Sequence, residues 1–271
     1  IVPLGMEGHA AAGGAHDYGT NSYLWHLVGM AVWVGGLMAL IAHDRRLGPD
    51  METGLRRYSS VALFALIVMA ISGLINAAVR VEWSDWFTTT YGFILVAKTV
   101  GLALLGFLGF VHRMLTIPVI NSRPGMFLRF AVVEVILMAA VTGVAITMGR
   151  TPPPPPRDPN LSQMAIQMGY DLYEKPTLGN VFTMWRFDVM FGSIAILITA
   201  GYLYGIWRVY RRGGTWDHRY TAMWLLGTGS LFVTTSSGLG MNMPATYSMH
   251  MIVHMILSMV VPLFLALGGP L

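Results

Sequence analysis

Long apolar runs separated by short polar segments dominate this chain. Seven of them reach the roughly 20 residues that a helix needs to cross the apolar core of a bilayer. They lie near 22–42, 58–80, 91–112, 127–149, 187–207, 220–240 and 247–268. None alternates polar and apolar positions as a barrel strand does. A segment in lipid must satisfy its own backbone hydrogen bonds, so each run is predicted to be a helix. The predicted fold class is all-α: a polytopic helical membrane protein with about seven transmembrane helices.

The basic residues orient these spans. Arg45, Arg46, Arg56 and Arg57 follow the first span, Arg113, Arg123 and Arg129 the third, and Arg208, Arg211, Arg212 and Arg219 the fifth. The alternate loops hold Glu82 and Asp85, or no charge at all in 241–246. The positive-inside rule places the basic set in the cytoplasm and the N-terminus outside. Between the fourth and fifth spans, Pro152 to Pro156 predicts a stiff polyproline spacer, and 160–173 could form a short amphipathic helix on the membrane surface. The chain then divides into a four-span unit (1–156), an extracytoplasmic linker (157–186) and a three-span unit (187–271). It begins with Ile1 rather than Met and stops as a helix would exit, which reads as a segment of a longer polypeptide.

Composition agrees with a membrane class. Only 11% of residues are charged, against about 25% in soluble domains, and the mean hydropathy is +0.59. The net charge of +4 is distributed by topology, so it does not point to nucleic acid. With no cysteine there is no disulfide, thiolate metal site or thiol redox chemistry. Most of the 20 methionines read as flexible apolar filler.

The last span opens Tyr247-Ser248-Met249-His250-Met251-x-x-His254-Met255. His250 and His254 stand at i and i+4 and share a helix face. Imidazole suits several transition metals and thioether favours Cu(I), while an ionisable pair in a span is a functional-site hypothesis by default. The candidate metal ligands are His250 and His254, assisted by Met251, Met255 or the loop methionine Met243, with His26 in a relay or second site. All three histidines fall roughly 5–10 Å below the outer surface, counted at 1.5 Å per residue. A single histidine such as His26 can equally be a hydrogen-bonding group between helices. Met6, His9 and His16 add ligand types to a Gly/Ala-rich tail that otherwise reads as linker. His43, His112 and His218 fall near the cytoplasmic face, outside this cluster. Lys98 and Glu134 are buried charges for which a structural role is expected. Arg186 and Asp188 read as an interfacial salt bridge or anchor, and Trp33 with Gly35 and Gly36 as close helix packing.

Two families are matched by these residues. His26-x-x-Gly29-x-x-x-Trp33-x-Gly35-Gly36, Gly73, Tyr91-Gly92 with Lys98, Arg113, and Glu134 before the proline run resemble the CopD copper-resistance membrane domain. Trp185-x-x-Asp188, Tyr202-Leu203-x-Gly205 with Gly213, the histidine–methionine block, and Pro262 before Gly268-Gly269-Pro270 resemble the CtaG-type cytochrome c oxidase assembly family. Together the chain resembles an actinobacterial-type fusion of the two. The resemblance implies copper handling at the outer face of a bacterial plasma membrane, with delivery to the copper centre of a haem–copper cytochrome c oxidase. By match, His26 is the CopD candidate and His250 and His254 the CtaG candidates. CtaG-type proteins normally carry further spans, so a site completed by them would be incomplete here.

The leading expectation is therefore a copper-handling protein, not an enzyme, that binds Cu(I). Its expected partners are the oxidase or its supercomplex, an extracytoplasmic copper donor protein and the lipid bilayer. Two rivals remain: a haem-binding or electron-transfer protein whose histidines are axial ligands, and a metal-free structural partner of a respiratory complex. There is no phosphate-cradling Gly-Lys-Ser/Thr loop and no nucleophile elbow, and the carboxylates are few and scattered.

Overall fold

Backbone amides and carbonyls in lipid must be paired within the segment that carries them, and long helices follow. The computed structural model describes residues 14–47, 50–117, 124–154 and 160–269. Met6, His9, Arg123 and Pro270 fall outside these. By contact clustering the chain forms two units, Ile1–Gly169 and Tyr170–Leu271.

The first unit holds α1 (His16–Leu47), α2 (Met51–Arg80), α3 (Thr90–Val111), α4 (Pro124–Arg150) and the short α5 (Gln163–Met168). A 3-10 turn at Trp83–Trp86 joins α2 to α3, and a π-turn, His112–Thr116, prolongs α3. Helices α1 and α2 form one packed hairpin and α3 and α4 another. Their shared core includes Trp33, Leu37, Met69, Leu105, Phe127 and Met138. Small residues allow the close approach of α1 to α2. A methyl group on Gly29 would come within 2.9 Å of Met69, and one on Gly36 within 2.8 Å of the Tyr58 ring. Gly35, grouped with Gly36 on the sequence pattern, instead faces open space.

The second unit holds α6 (Leu178–Thr183), α7 (Phe191–Arg211), α8 (His218–Ser236), α9 (Gly238–Asn242), α10 (Tyr247–Met255) and α11 (Val261–Leu267). A π-turn, Ile256–Val260, joins α10 to α11. Pro262 explains the wide turn. Proline has no amide to donate back along the helix, and its ring crowds the carbonyl four residues earlier, so the turn opens rather than clashes. The core here is built by Ala195, Leu231 and Val261. The Tyr202 hydroxyl donates to the Gly268 carbonyl at 2.7 Å, tying α7 to the end of α11.

Among the described residues, six helices are long and apolar enough to cross a membrane, rather than seven. They are His16–His43, Met51–Arg80, Thr90–Leu115, Phe127–Arg150, Phe191–Arg211 and Tyr247–Leu267. The run at 220–240 does fold as α8, with 19 residues, but six of its positions from Thr221 to Ser236 are Thr or Ser. Thr228, Thr234 and Ser236 are buried, so several of these hydroxyls face the protein rather than lipid. The surface helix expected over 160–173 shrinks to α5, six residues long. Ser162 caps its start, and Gly169, at φ 86°, ends it in the left-handed conformation that glycine adopts readily.

Gly92 is the tightest point of the first unit. It sits in the first turn of α3, where a methyl group would collide with the carbonyl oxygens of Asp85 and Trp86. Gly92→Ala is expected to cost about 1–3 kcal/mol, read as a lower midpoint of thermal unfolding in detergent. An unchanged midpoint would mean that the turn before α3 is free to move away.

Candidate metal-ligating groups

His250 and His254 do share one face of α10. Their rings stack in parallel, 6.4 Å apart with 4° between the planes, and both side chains are exposed. Val253, on the opposite face, is the buried contact of this helix. At 100° per residue, His250, His254, Met251 and Met255 occupy an arc of roughly 140°. Both methionines are exposed as well. Met243 is half-buried in the turn before α10. Exposed side chains can turn about their χ angles, so the two imidazoles can converge on one ion with a thioether from the same arc. Among the described residues no cluster of three His, Asp or Glu forms a ready-made metal site, so two imidazoles are the nitrogen donors this arc offers.

His26 is held differently. It is buried between α1 and α2, with Nδ1 3.1 Å from the Met69 carbonyl oxygen and 3.1 Å from Ser72 Oγ. A carbonyl only accepts, so Nδ1 carries the proton and, in the neutral ring, Nε2 keeps the lone pair. Among the described residues Lys98 makes no ion pair with Glu134.

Glu134 belongs to a polar cluster at the other end of the unit, and this cluster takes in His112, which the sequence left outside the outer-face group. The Trp33 indole donates to Glu134 Oε1 at 3.3 Å. His112 Nδ1 lies 3.6 Å from Glu134 Oε2, and the Tyr58 hydroxyl donates to the Trp33 carbonyl at 3.1 Å. One residue from each of α1, α2, α4 and the π-turn after α3 thus meets here. The His112 ring is gripped by Phe127 and Phe130, with centroids 5.8 and 5.6 Å away. Its Nε2 is buried without a hydrogen-bond partner. Beside it lies a cavity of about 370 Å³ lined by Trp33, Tyr58, Leu66, Leu105, His112 and Glu134. The signal available in the sequence was the phenylalanine pair at i and i+3 and the histidine one residue before a basic loop; neither indicates a partner on α4.

Asp188 and Arg186 stand at the entry to α7. Asp188 accepts from the Phe191 amide at 2.6 Å, and its own amide donates to Ser236 Oγ at 3.0 Å. The Arg186 guanidinium lies 4.9 Å over the Tyr170 ring.

This is a multi-pass helical membrane protein. Residues 52–148 match the family of copper resistance protein D (CopD), and residues 200–271 match the cytochrome c oxidase caa3 assembly factor family (Caa3_CtaG). The chain therefore joins a CopD-type membrane segment to a CtaG-type segment in one polypeptide. An uncharacterized protein of Mycobacterium leprae is 30% identical over 267 residues, covering 88% of this chain and 39% of that protein. One from Mycobacterium bovis is 38% identical over 105 residues, covering 39% of this chain and 16% of its own length. The copper transport protein CutJ of Bacillus subtilis is 31% identical over 176 residues, 62% of this chain and 32% of CutJ. The chain thus spans well under half the length of the curated relatives it matches. No solved structure matches it.

Glu134→Ala strands the buried Trp33 indole, which should cost about 1–3 kcal/mol. Glu134→Gln keeps an acceptor at the same place and should cost less. Melting midpoints in detergent check the order; equal midpoints for both variants would show that the carboxylate does not hold α1 to α4.

Proposed function

We propose that the protein handles copper at the extracytoplasmic face of a bacterial plasma membrane and supports its delivery to a haem–copper cytochrome c oxidase. The observation that carries this reading is the pair of parallel, exposed imidazoles, His250 and His254, on one arc of α10 with Met251 and Met255. It lies within the segment that matches the oxidase assembly family. Copper is here cargo. An exposed site of two imidazoles and a thioether suits Cu(I), and open positions leave room for a donor protein to hand the ion over and for the oxidase to take it. The kinship with a copper resistance family, and with a relative named as a copper transport protein, supports the same cargo.

The haem alternative fits less well. A bis-histidine haem takes its axial imidazoles on opposite faces of the macrocycle. His250 and His254 stand one turn apart on one helix with parallel rings, so this pair cannot clasp a haem between them.

Elemental analysis of the detergent-purified protein, loaded with copper under reducing conditions, tests the reading. The wild type is expected to retain copper near stoichiometrically. His250→Ala with His254→Ala is expected to lose the ion held at α10. Copper content unchanged in the double variant would overturn the site.

A further inference from the structure

The four long helices of the first unit pair off, α1 with α2 and α3 with α4. The cavity of about 370 Å³ lies in the seam between α2 and α3. Its walls are mostly apolar, with Leu55, Ala62 and Leu66 from α2 and Leu105, Gly106 and Gly109 from α3. Two absent side chains make the space. A methyl group on Gly109 would meet nothing within 4 Å, and one on Gly106 would touch only the tip of Leu66, at 2.9 Å. Leu63, Phe110 and Met114 line the same space and are exposed, so they form its mouth. In helices that span a membrane, such a mouth opens toward acyl chains. An unfilled gap forfeits the dispersion contacts of its lining, and hydrocarbon restores them without burying a polar group.

One charge stands at this mouth. Arg113 lines the cavity, is exposed and makes no ion pair among the described residues. It sits in the π-turn that prolongs α3, at the end of the apolar run, on the side that the positive-inside rule assigns to the cytoplasm. Its planar fork of donors matches a phosphate. Ser59, at the start of the apolar run of α2, adds a hydroxyl to the same wall. Glu134 also lines the cavity, but it is only 3% exposed and is held by the Trp33 indole at 3.3 Å. The guanidinium is therefore the charge that an incoming group meets. Snorkelling to the interface explains an arginine at a helix end. It does not explain an arginine bordering an apolar gap that two glycines leave open.

We propose that the seam between α2 and α3 seats an anionic phospholipid of the cytoplasmic leaflet. One acyl chain lies over Gly106 and Gly109, and the phosphate pairs with Arg113. Basic pockets between membrane helices on that side suit anionic headgroups. The lipid closes the gap between the two helix hairpins where the protein's own side chains do not. This assignment does not depend on copper being the cargo.

The test uses the purified chain, delipidated in detergent. It is titrated with phosphatidylglycerol and with phosphatidylcholine of the same acyl chains. Bound lipid is counted by native mass spectrometry, and the midpoint of thermal unfolding is followed beside it. Phosphatidylglycerol is expected to be retained and to raise the midpoint at concentrations where phosphatidylcholine does neither. Inorganic phosphate alone is expected to leave the midpoint unchanged. Arg113→Gln, at an exposed position, should keep the lipid-free midpoint and lower the preference for phosphatidylglycerol by about fivefold, the worth of one basic residue near an anionic surface. Gly109→Leu puts a side chain in the gap and should reduce retention of both lipids. If Gly109→Leu itself lowers the lipid-free midpoint, Ala62→Leu fills the facing wall and carries the same test. The inference is overturned if the wild type binds both lipids equally, if inorganic phosphate alone raises the midpoint as far, if the preference survives Arg113→Gln, or if retention is indifferent to the filled gap.

Discussion

A single buried carboxylate organises the first unit. Glu134 is buried among four long apolar helices, and a lone charge in lipid is costly. The chain meets that cost by bringing polar groups from three other segments to it: the Trp33 indole from α1, the Tyr58 hydroxyl through the Trp33 carbonyl, and His112 from the π-turn after α3. Hydrophobic packing gives little reason for one helix to prefer a particular rotation when lipid is as apolar as leucine. The polar cluster supplies that reason. It fixes which face of each helix turns inward, and the packed core of Trp33, Leu105, Phe127 and Met138 follows from it.

The second unit solves the same problem with backbone partners. Ser236 accepts from the Asp188 amide at its hydroxyl oxygen and from the Arg186 amide at its carbonyl. Tyr202 reaches the Gly268 carbonyl and stacks on Trp224 at 4.5 Å. Asn242, buried, donates to the Gly238 carbonyl. These bonds pair several interior polar groups of α7 to α9, while the Trp224 indole N–H on α8 is buried without a hydrogen-bond partner. The two imidazoles of α10 take no part in them and stay on the exposed side. The interior of this unit thus holds its shape without the histidines, and their replacement should be borne by function before fold.

The helices themselves were legible in the sequence because apolar runs of membrane length have few other solutions. The run at 220–240 does fold as the 19-residue helix α8; its threonines and serines keep it out of the six helices that are both long and apolar enough to cross a membrane. The pairing of His250 with His254 was legible from spacing alone, since i and i+4 share a face in any helix. The partner of Glu134 was not. Depth counted at a fixed rise assumes straight helices, and the π-turn at His112 breaks that assumption by changing the rotation and rise of the last turn of α3. Counting gives a histidine's depth along its helix, but not that its ring turns inward against α4. Likewise Gly35 and Gly36 look equivalent in sequence, yet one residue is 100° of helix rotation, enough to put one against Tyr58 and the other in open space.

The histidine environments also differ in their access to an incoming group. On α10 both imidazoles are exposed, so an approaching protein could add a ligand to a bound ion before an outgoing one leaves, as a hand-over step requires. His112 is clamped between two phenyl rings, and its Nε2 is buried without a partner, so that nitrogen is closed to an incoming group until the side chains around it move. Exposure, more than the presence of an imidazole, is therefore what suits the α10 pair to exchange.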